Sequence, residues 1–240
     1  MSAQRIAALL KPASVVLVGA SDASGSLGDV VRRNLVDAGF SGPLHFVNVR
    51  LDSIAGQHVY RSVRDLPQVP DLAIILTPAA TVPEVIGDCG RKGIRAAVVV
   101  SAGFREGGVA GAGLERQLRV QARKHGLRYL GPNSLGVIRT DIGLNAACGP
   151  GQPDKGRLAL VSQSGALCAA LIDWARSRHV GFSSVVSTGV GSDVELGEIL
   201  DYLARDPATD SIMLYLEGVE HARGFMSALR AAARVKPVVV

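Results

Sequence analysis

The sequence predicts an α/β protein with parallel sheets, and three features of the chain carry that prediction. Short apolar runs alternate with amphipathic stretches throughout, the pattern of repeated strand-helix-strand units. Gly39, Gly93 and Gly126 stand just past amphipathic stretches, where helices end. A turn rich in glycine and serine, Gly19-Ala-Ser-Asp-Ala-Ser-Gly-Ser-Leu-Gly28, joins the first apolar run to the first amphipathic one.

Taken in order, residues 14–19 read as a strand, 28–38 as a helix, and 44–48 and 72–77 as two further strands. A helix over 82–92 follows, with Pro83 near its start where the missing N–H costs nothing. Residues 96–101 then read as a strand, 114–125 as a helix and 128–130 as a fifth strand. Five such strands predict a Rossmann-like unit over residues 1–142. The stretch 142–156 contains four glycines with Pro150 and Pro153 and has no periodicity, so it reads as the connection between units. A second series begins with a strand over 157–162, a helix over 165–176 and a strand near 183–187. It continues with a helix over 194–203, a strand over 211–216, another helix, and a strand opening within 236–240. This pattern suits an incomplete flavodoxin-like unit over 156–240. A buried parallel strand at a chain end lacks a neighbour for its backbone groups, so the sequence reads as a piece of something longer.

Composition narrows the function classes. With 240 residues, 48% hydrophobic and 20% charged, the chain can bury one large core or two modest ones. The first ten residues are too short in apolar content for a signal peptide, and no run approaches the roughly 20 apolar residues of a membrane span. That argues for a cytoplasmic protein without a membrane partner. Cys89, Cys148 and Cys168 are odd in number and lack metal-ligand spacing, so they read as reduced structural thiols and no metal site is assigned. The net charge of +5 invites a nucleic-acid reading. The basic residues are scattered, however, and the densest group, Arg119, Arg123, Lys124 and Arg128, reads as a solvated helix face.

Several loops have the composition of ligand contacts. In the first turn, Gly19, Ser21, Gly25 and Gly28 let backbone N–H groups approach a phosphate at a helix start. This is not G-x-G-x-x-G, because Ser21 replaces the second glycine and the turn is longer. The second strand ends Phe46-Val47-Asn48-Val49-Arg50, where a dinucleotide site wants an acid for the ribose. Arg50 instead suits an extra phosphate, as on the ribose of coenzyme A or NADP; a surface arginine is the plainer account. Thr77-Pro78-Ala79-Ala80, Ser101-Ala102-Gly103-Phe104 and Leu130-Gly131-Pro132-Asn133 follow further strands, and each alone is ordinary turn chemistry. Ser162-Gln163-Ser164-Gly165 joins a strand to a helix start, a natural cradle for a phosphate at the positive end of a helix dipole. It is not a nucleophile elbow, because Ser162 stands where that motif needs glycine. A simple helix cap at Ser164 is the plainer account.

The ordered set Val18-Gly-Ala-Ser21, Val47-Asn48, Thr77-Pro-Ala79, Ser101-Ala-Gly-Phe104, Leu130-Gly-Pro-Asn133, Leu160-Val-Ser-Gln-Ser-Gly-Ala-Leu167 and Tyr215-Leu-Glu-Gly218 resembles the NDP-forming acyl-CoA synthetases, relatives of succinyl-CoA synthetase. The resemblance covers essentially the whole chain. It implies that the first unit binds CoA or acyl-CoA through Gly19, Ser21, Gly25, Gly28, Asn48, Arg50, Thr77, Pro78, Ser101, Gly103, Pro132 and Asn133. It further implies that Ser164 and Gly165 cradle a phosphohistidine and that Glu217 orients it. The complete enzyme interconverts acyl-CoA, ADP and phosphate with acid, CoA and ATP. ATP, ADP and Mg belong to an ATP-grasp domain or subunit absent from this sequence, and the phosphohistidine is expected beyond Val240. None of His45, His58, His125, His179 and His221 has the Ser-His-Thr-Gly setting of that residue, so the chain alone should be inactive. Self-association is left open. The same resemblance extends to the CoA-sensing module of bacterial protein lysine acetyltransferases, and an NADP-dependent oxidoreductase is the competing enzyme reading, without an evident hydride site. Three places depart from the family pattern: Asn48-Val49 stands for Asn-Pro, Ser134 for cysteine, and Ser187-Thr188-Gly189-Val190 for Ser-x-Gly-Asn.

Overall fold

The structure is a computed structural model that describes residues 2–149 and 151–240, with side chains from Ile6 onward; Met1 and Pro150 of the expected connection lie outside the described residues. The first unit runs α1 (Ser2–Leu10), β1 (Val15–Val18), α2 (Leu27–Asp37), β2 (Leu44–Val47), β3 (Ser53–Ile54), β4 (Gln57–Tyr60), β5 (Leu72–Ile75), α3 (Val82–Lys92), β6 (Ala96–Val99), α4 (Gly108–His125) and β7 (Arg128–Leu130). These strands form one sheet in the order β3-β4-β2-β1-β5-β6-β7. All neighbours pair in parallel except β3 with β4. Every residue of β1, β5 and β6 is buried, which is why they read as continuous apolar runs rather than alternating ones.

The second unit runs β8 (Gly136–Arg139), β9 (Leu144–Ala147), β10 (Lys155–Ser162), α5 (Gly165–Arg176), β11 (Phe182–Ser187), α6 (Leu196–Arg205), β12 (Ser211–Tyr215), α7 (Ala222–Ala233) and β13 (Val238–Val239). Its sheet order is β13-β12-β10-β11-β8-β9, with β8 and β9 antiparallel to their neighbours. The two-unit α/β architecture is the expected one. The stretch 136–147 differs from the sequence reading, which splits it between the first unit and the connection. β8 and β9 are buried along their whole length but contain Gly136, Arg139 and Asn145, so neither alternation nor an apolar run marks them, and they join the second sheet through β11. Helix α4 also starts earlier than 114, because Gly108, Gly111 and Gly113 blur its periodicity. Gly111 is required there, since a Cβ would stand 1.7 Å from the Phe104 carbonyl oxygen.

One hydrophobic core joins the units. Leu17, Ile74 and Val98 from the first sheet share a cluster with Val137, Val161, Leu200 and Ile212 from the second. Smaller clusters lie beneath α3 and α4, around Ile75, Ile86 and Leu118, and beneath α5, around Leu160, Cys168 and Ile172. Polar ties cross the same boundary: Arg128 pairs with Asp193 at 2.9 Å and Glu198 at 2.6 Å. Asn34 on α2 donates to the carbonyls of Ala147 and Gly149, each at 2.8 Å. Inside the second unit, fully buried Arg139 pairs with Asp206 at 2.8 Å and Asp141 at 3.0 Å. Among the described residues no helix is long and apolar enough to cross a membrane.

Candidate functional site

Strands β1, β2 and β5 end level with one another, Val18 opposite Val47 on one side and Ile75 on the other. The chain departs from β1 toward β2 and later returns on the far side as β5, so the gap above β1 is the switch point where open α/β sheets hold ligands. A cleft of about 740 Å³ opens there, lined by Gly19, Asn48, Arg50, Thr77 and Pro78 among others. That volume lies within the range of small-molecule and cofactor sites. Five of the residues singled out from sequence therefore meet in one cleft.

The remaining first-unit candidates shape it. Gly19 and Gly25 have φ of +93° and +77°, a left-handed backbone that favours glycine. At Gly28 a Cβ would meet Gly19 O at 2.4 Å and Ser21 N at 2.8 Å, so glycine lets α2 start directly beneath the turn. Ser21 Oγ accepts from the Ala23 N–H, and Ser26 caps α2 by accepting from the Asp29 N–H. Asp29 would set a negative charge under a phosphate, but Arg32 and Arg33 pair with it at 2.8 and 2.9 Å. The hydrogen bond from Arg32 leads in holding its carboxyl below the ordinary range.

Asn48 ties the first two loops together, donating from Nδ2 to the Ala20 carbonyl and accepting at Oδ1 from the Arg50 N–H, both at 2.8 Å. Arg50 itself is exposed at the cleft margin. Buried Ser101 donates to the Thr77 carbonyl at 2.6 Å, and Gly103, at φ +104°, donates its N–H to Glu106 at 2.7 Å. Ser101 thus braces the Thr77–Pro78 loop from behind, and Gly103 stands close to it, its virtual Cβ 3.3 Å from Ala79 Cβ.

Pro132 and Asn133 sit elsewhere than the cleft, where the two units join. The Asn133 N–H donates to the Ser101 carbonyl, while the Pro132 carbonyl accepts from the Val190 N–H. Gly189 is forced small, because a Cβ would stand 2.3 Å from Pro132 O. Gly165 packs on the same loop, its virtual Cβ 3.3 Å from Leu135 Cβ. The loops after β7, β10 and β11 therefore converge. Ser134 accounts for one departure from the family pattern: its Oγ donates to the Ser187 carbonyl at 2.6 Å and accepts from the Gly136 N–H, work a thiol does poorly.

In the turn after β10, Ser164 is the N-cap of α5, its Oγ accepting from the Leu167 N–H at 3.3 Å. Ser162 Oγ donates to the Ser164 carbonyl and accepts from the Ser164 N–H, fixing the turn. Glu217 lies exposed just past β12, and its N–H is held by Gln163. A second cleft of about 370 Å³ opens alongside, lined by Arg119, Gln163, Thr188, Gly218 and His221 among others. Thr188 Oγ1 is buried there without a hydrogen-bond partner among the described residues. Sequence reasoning missed Gln163, Thr188 and the tie of Arg105 to Glu220 at 3.4 Å. For Gln163 its place inside a serine pair was a usable signal; for Arg105 there was none.

The cysteines fit the structural reading. Burial pushes the Cys89 thiol up to about 12 and the Cys168 thiol up to about 11, so both stay protonated and unreactive near neutrality.

Fold and cleft together define a two-unit α/β protein with a cleft above β1 on the first unit and a serine-capped helix start at the junction on the second. The chain belongs to the CoA-binding-domain family, whose model matches residues 13–140, and residues 155–240 match the succinyl-CoA ligase like flavodoxin domain. It is 45% identical over 232 residues to an ADP-forming acetate–CoA ligase I of Archaeoglobus fulgidus, covering 97% of this chain and 34% of that one. It is 40% identical to the alpha subunit of the Pyrococcus furiosus ADP-forming acetate–CoA ligase I, covering 97% of this chain and 51% of the subunit. The structure superposes on Ca. Korarchaeum cryptofilum dinucleotide forming acetyl-coenzyme A synthetase 1, solved with phosphate and ADP, at a TM-score of 0.94 and 36% identity over 99% of this chain and 51% of that one. The chain thus spans only a third to a half of these relatives. The likeness to NDP-forming acyl-CoA synthetases read from the motifs is borne out. The findings fit that reading and neither the acetyltransferase sensor nor the NADP oxidoreductase.

Proposed function

We propose that this chain is the CoA-handling portion of an acid–thiol ligase that interconverts acyl-CoA, ADP and phosphate with a carboxylic acid, CoA and ATP. The observation that carries the reading is the presence of both units, in the same order, in ligases aligned over 97% of the chain. In it, Gly19, Asn48, Arg50, Thr77 and Pro78 line the CoA cleft, with Ser21, Gly25, Gly28, Ser101 and Gly103 shaping it. Pro132 and Asn133 stand where the thiol end of CoA meets the second unit. Gly165 offers a helix-start N–H to a phosphate beside the capping Ser164, a place that the helix dipole favours, and Glu217 steadies the charge of the phosphohistidine. An ATP-grasp domain or subunit supplies the ATP, ADP and Mg chemistry, in the cytoplasm.

Incubation with labelled ATP, acid and CoA tests this. The chain alone forms neither acyl-CoA nor acid-labile phosphate. The same chain, extended by the histidine segment and supplied with an ATP-grasp partner, forms both. Acid-labile phosphate on one of the five histidines of the chain alone would overturn the assignment.

A further inference from the structure

Gln163 stands between the two serines of the cradle, yet its side chain bonds the loop after β12. Its Oε1 accepts from the Glu217 N–H at 2.5 Å and the Gly218 N–H at 3.0 Å, and its Nε2 donates to the Gly218 carbonyl at 2.8 Å. The parallel ladder between β10 and β12 ends at Ser162 opposite Tyr215. The glutamine amide takes over where that ladder stops, using three of its four bonding positions on one short segment. Leu216 just before Glu217 packs on the core, and among the described residues the other side-chain holds on this loop are polar contacts between exposed partners, Arg105 with Glu220 at 3.4 Å and His221 with Glu195 at 2.9 Å. Such contacts between exposed side chains are weak and screened by salt, which leaves Gln163 as the principal polar tie on Glu217 and Gly218.

We propose that Gln163 is a positioning residue that holds Glu217 in register with the Ser164–Gly165 cradle. Each residue of the turn has its own part, in that Ser162 fixes the turn, Ser164 caps α5, and Gln163 fastens the facing loop. This role rests on the ligase reading, since only there does Glu217 face a phosphohistidine. Alanine at 163 removes the tie. Glutamate keeps the acceptor, loses the donor, and sets a carboxylate against the Gly218 carbonyl.

Hydrogen exchange on this chain tests the tie directly, because amide exchange reports local opening. Gln163→Ala is expected to speed exchange at Glu217 and Gly218 at least tenfold while CoA affinity, set by the other cleft, stays unchanged. In the enzyme carrying the histidine segment and ATP-grasp partner, kcat should fall tenfold or more at constant KM for CoA. Gln163→Glu, which keeps the acceptor for the Glu217 and Gly218 N–H groups, should lose less exchange protection there than Gln163→Ala. Unchanged exchange overturns the proposal, as does faster exchange with unchanged kcat. A parallel loss of thermal midpoint, CoA affinity and rate in both variants overturns it in favour of a structural role. If the wild-type enzyme forms no phosphohistidine, the ligase reading fails and the positioning role with it, while the exchange data still report whether the tie exists.

Discussion

After β1 the chain passes through residues 19–26 before α2 begins, whereas after β10 only Gln163 and Ser164 precede α5. The long turn takes its shape largely from backbone, through Gly19 and Gly25 at positive φ and the close approach at Gly28. The short turn takes its shape from side chains: Ser162, Gln163 and Ser164 each bond neighbouring main chain. The first arrangement leaves a wide cleft for an extended ligand. The second leaves no slack, which suits a small group whose position must be fixed. In the proposed ligase, one α/β plan supplies a binding end and a chemistry end, and the common core of the two units keeps them in register.

The largest expected effect comes from breaking the rigid support of the second unit. Arg139→Ala strands the buried Asp206 carboxylate and should cost about 3–5 kcal/mol in denaturant unfolding. The pair also sets a pH dependence. Burial pushes the Asp206 carboxyl up, but hydrogen bonds from Arg139 and Thr209 overcome this and hold it below its ordinary value. Its contribution to stability is therefore complete above the unfolded carboxyl value of about 4 and is lost as pH falls through the lower folded value. Denaturation midpoints at pH 6 and pH 3 should converge between wild type and Asp206→Asn on the acid side.

Gly28→Ala attacks the binding end. The new methyl meets backbone atoms of Gly19 and Ser21, a strain of about 1–3 kcal/mol that should distort the turn and weaken CoA in calorimetry with the second unit unaffected. Arg50→Glu is narrower. It should weaken CoA roughly tenfold more than dephospho-CoA, through loss of a charge-assisted contact to the ribose phosphate. Equal losses for both ligands would remove that role from Arg50. Ser164→Asp should change stability least, within about 0.5 kcal/mol, because aspartate caps as well as serine. In the complete enzyme the same change should depress phosphorylation by setting a carboxylate in the cradle.

Much of this organisation was legible in the chain. Strands such as Val15–Val18 and Leu72–Ile75 announced themselves as apolar runs, and α3 and α5 began and ended where their proline, serine and glycine signals put them. The loops at strand ends were legible as a set because their order, rather than any one composition, was informative. What stayed hidden depends on distant contacts. β8 and β9 bury polar Arg139 and Asn145 along with Gly136 and so show neither alternation nor an apolar run, and β3 is only Ser53–Ile54. The placement of Pro132 and Asn133 at the junction follows from the approach of Gly189, which no local pattern encodes. Arg128 reads as part of a solvated basic face, yet it pairs with Asp193 and Glu198 across the unit boundary.

The division into a binding end and a chemistry end stands or falls on whether the cleft above β1 is a CoA site. Calorimetric titration of this chain with CoA and with NAD decides it. Saturable heat with CoA and none with NAD is the predicted result; saturable NAD binding without CoA heat would contradict it.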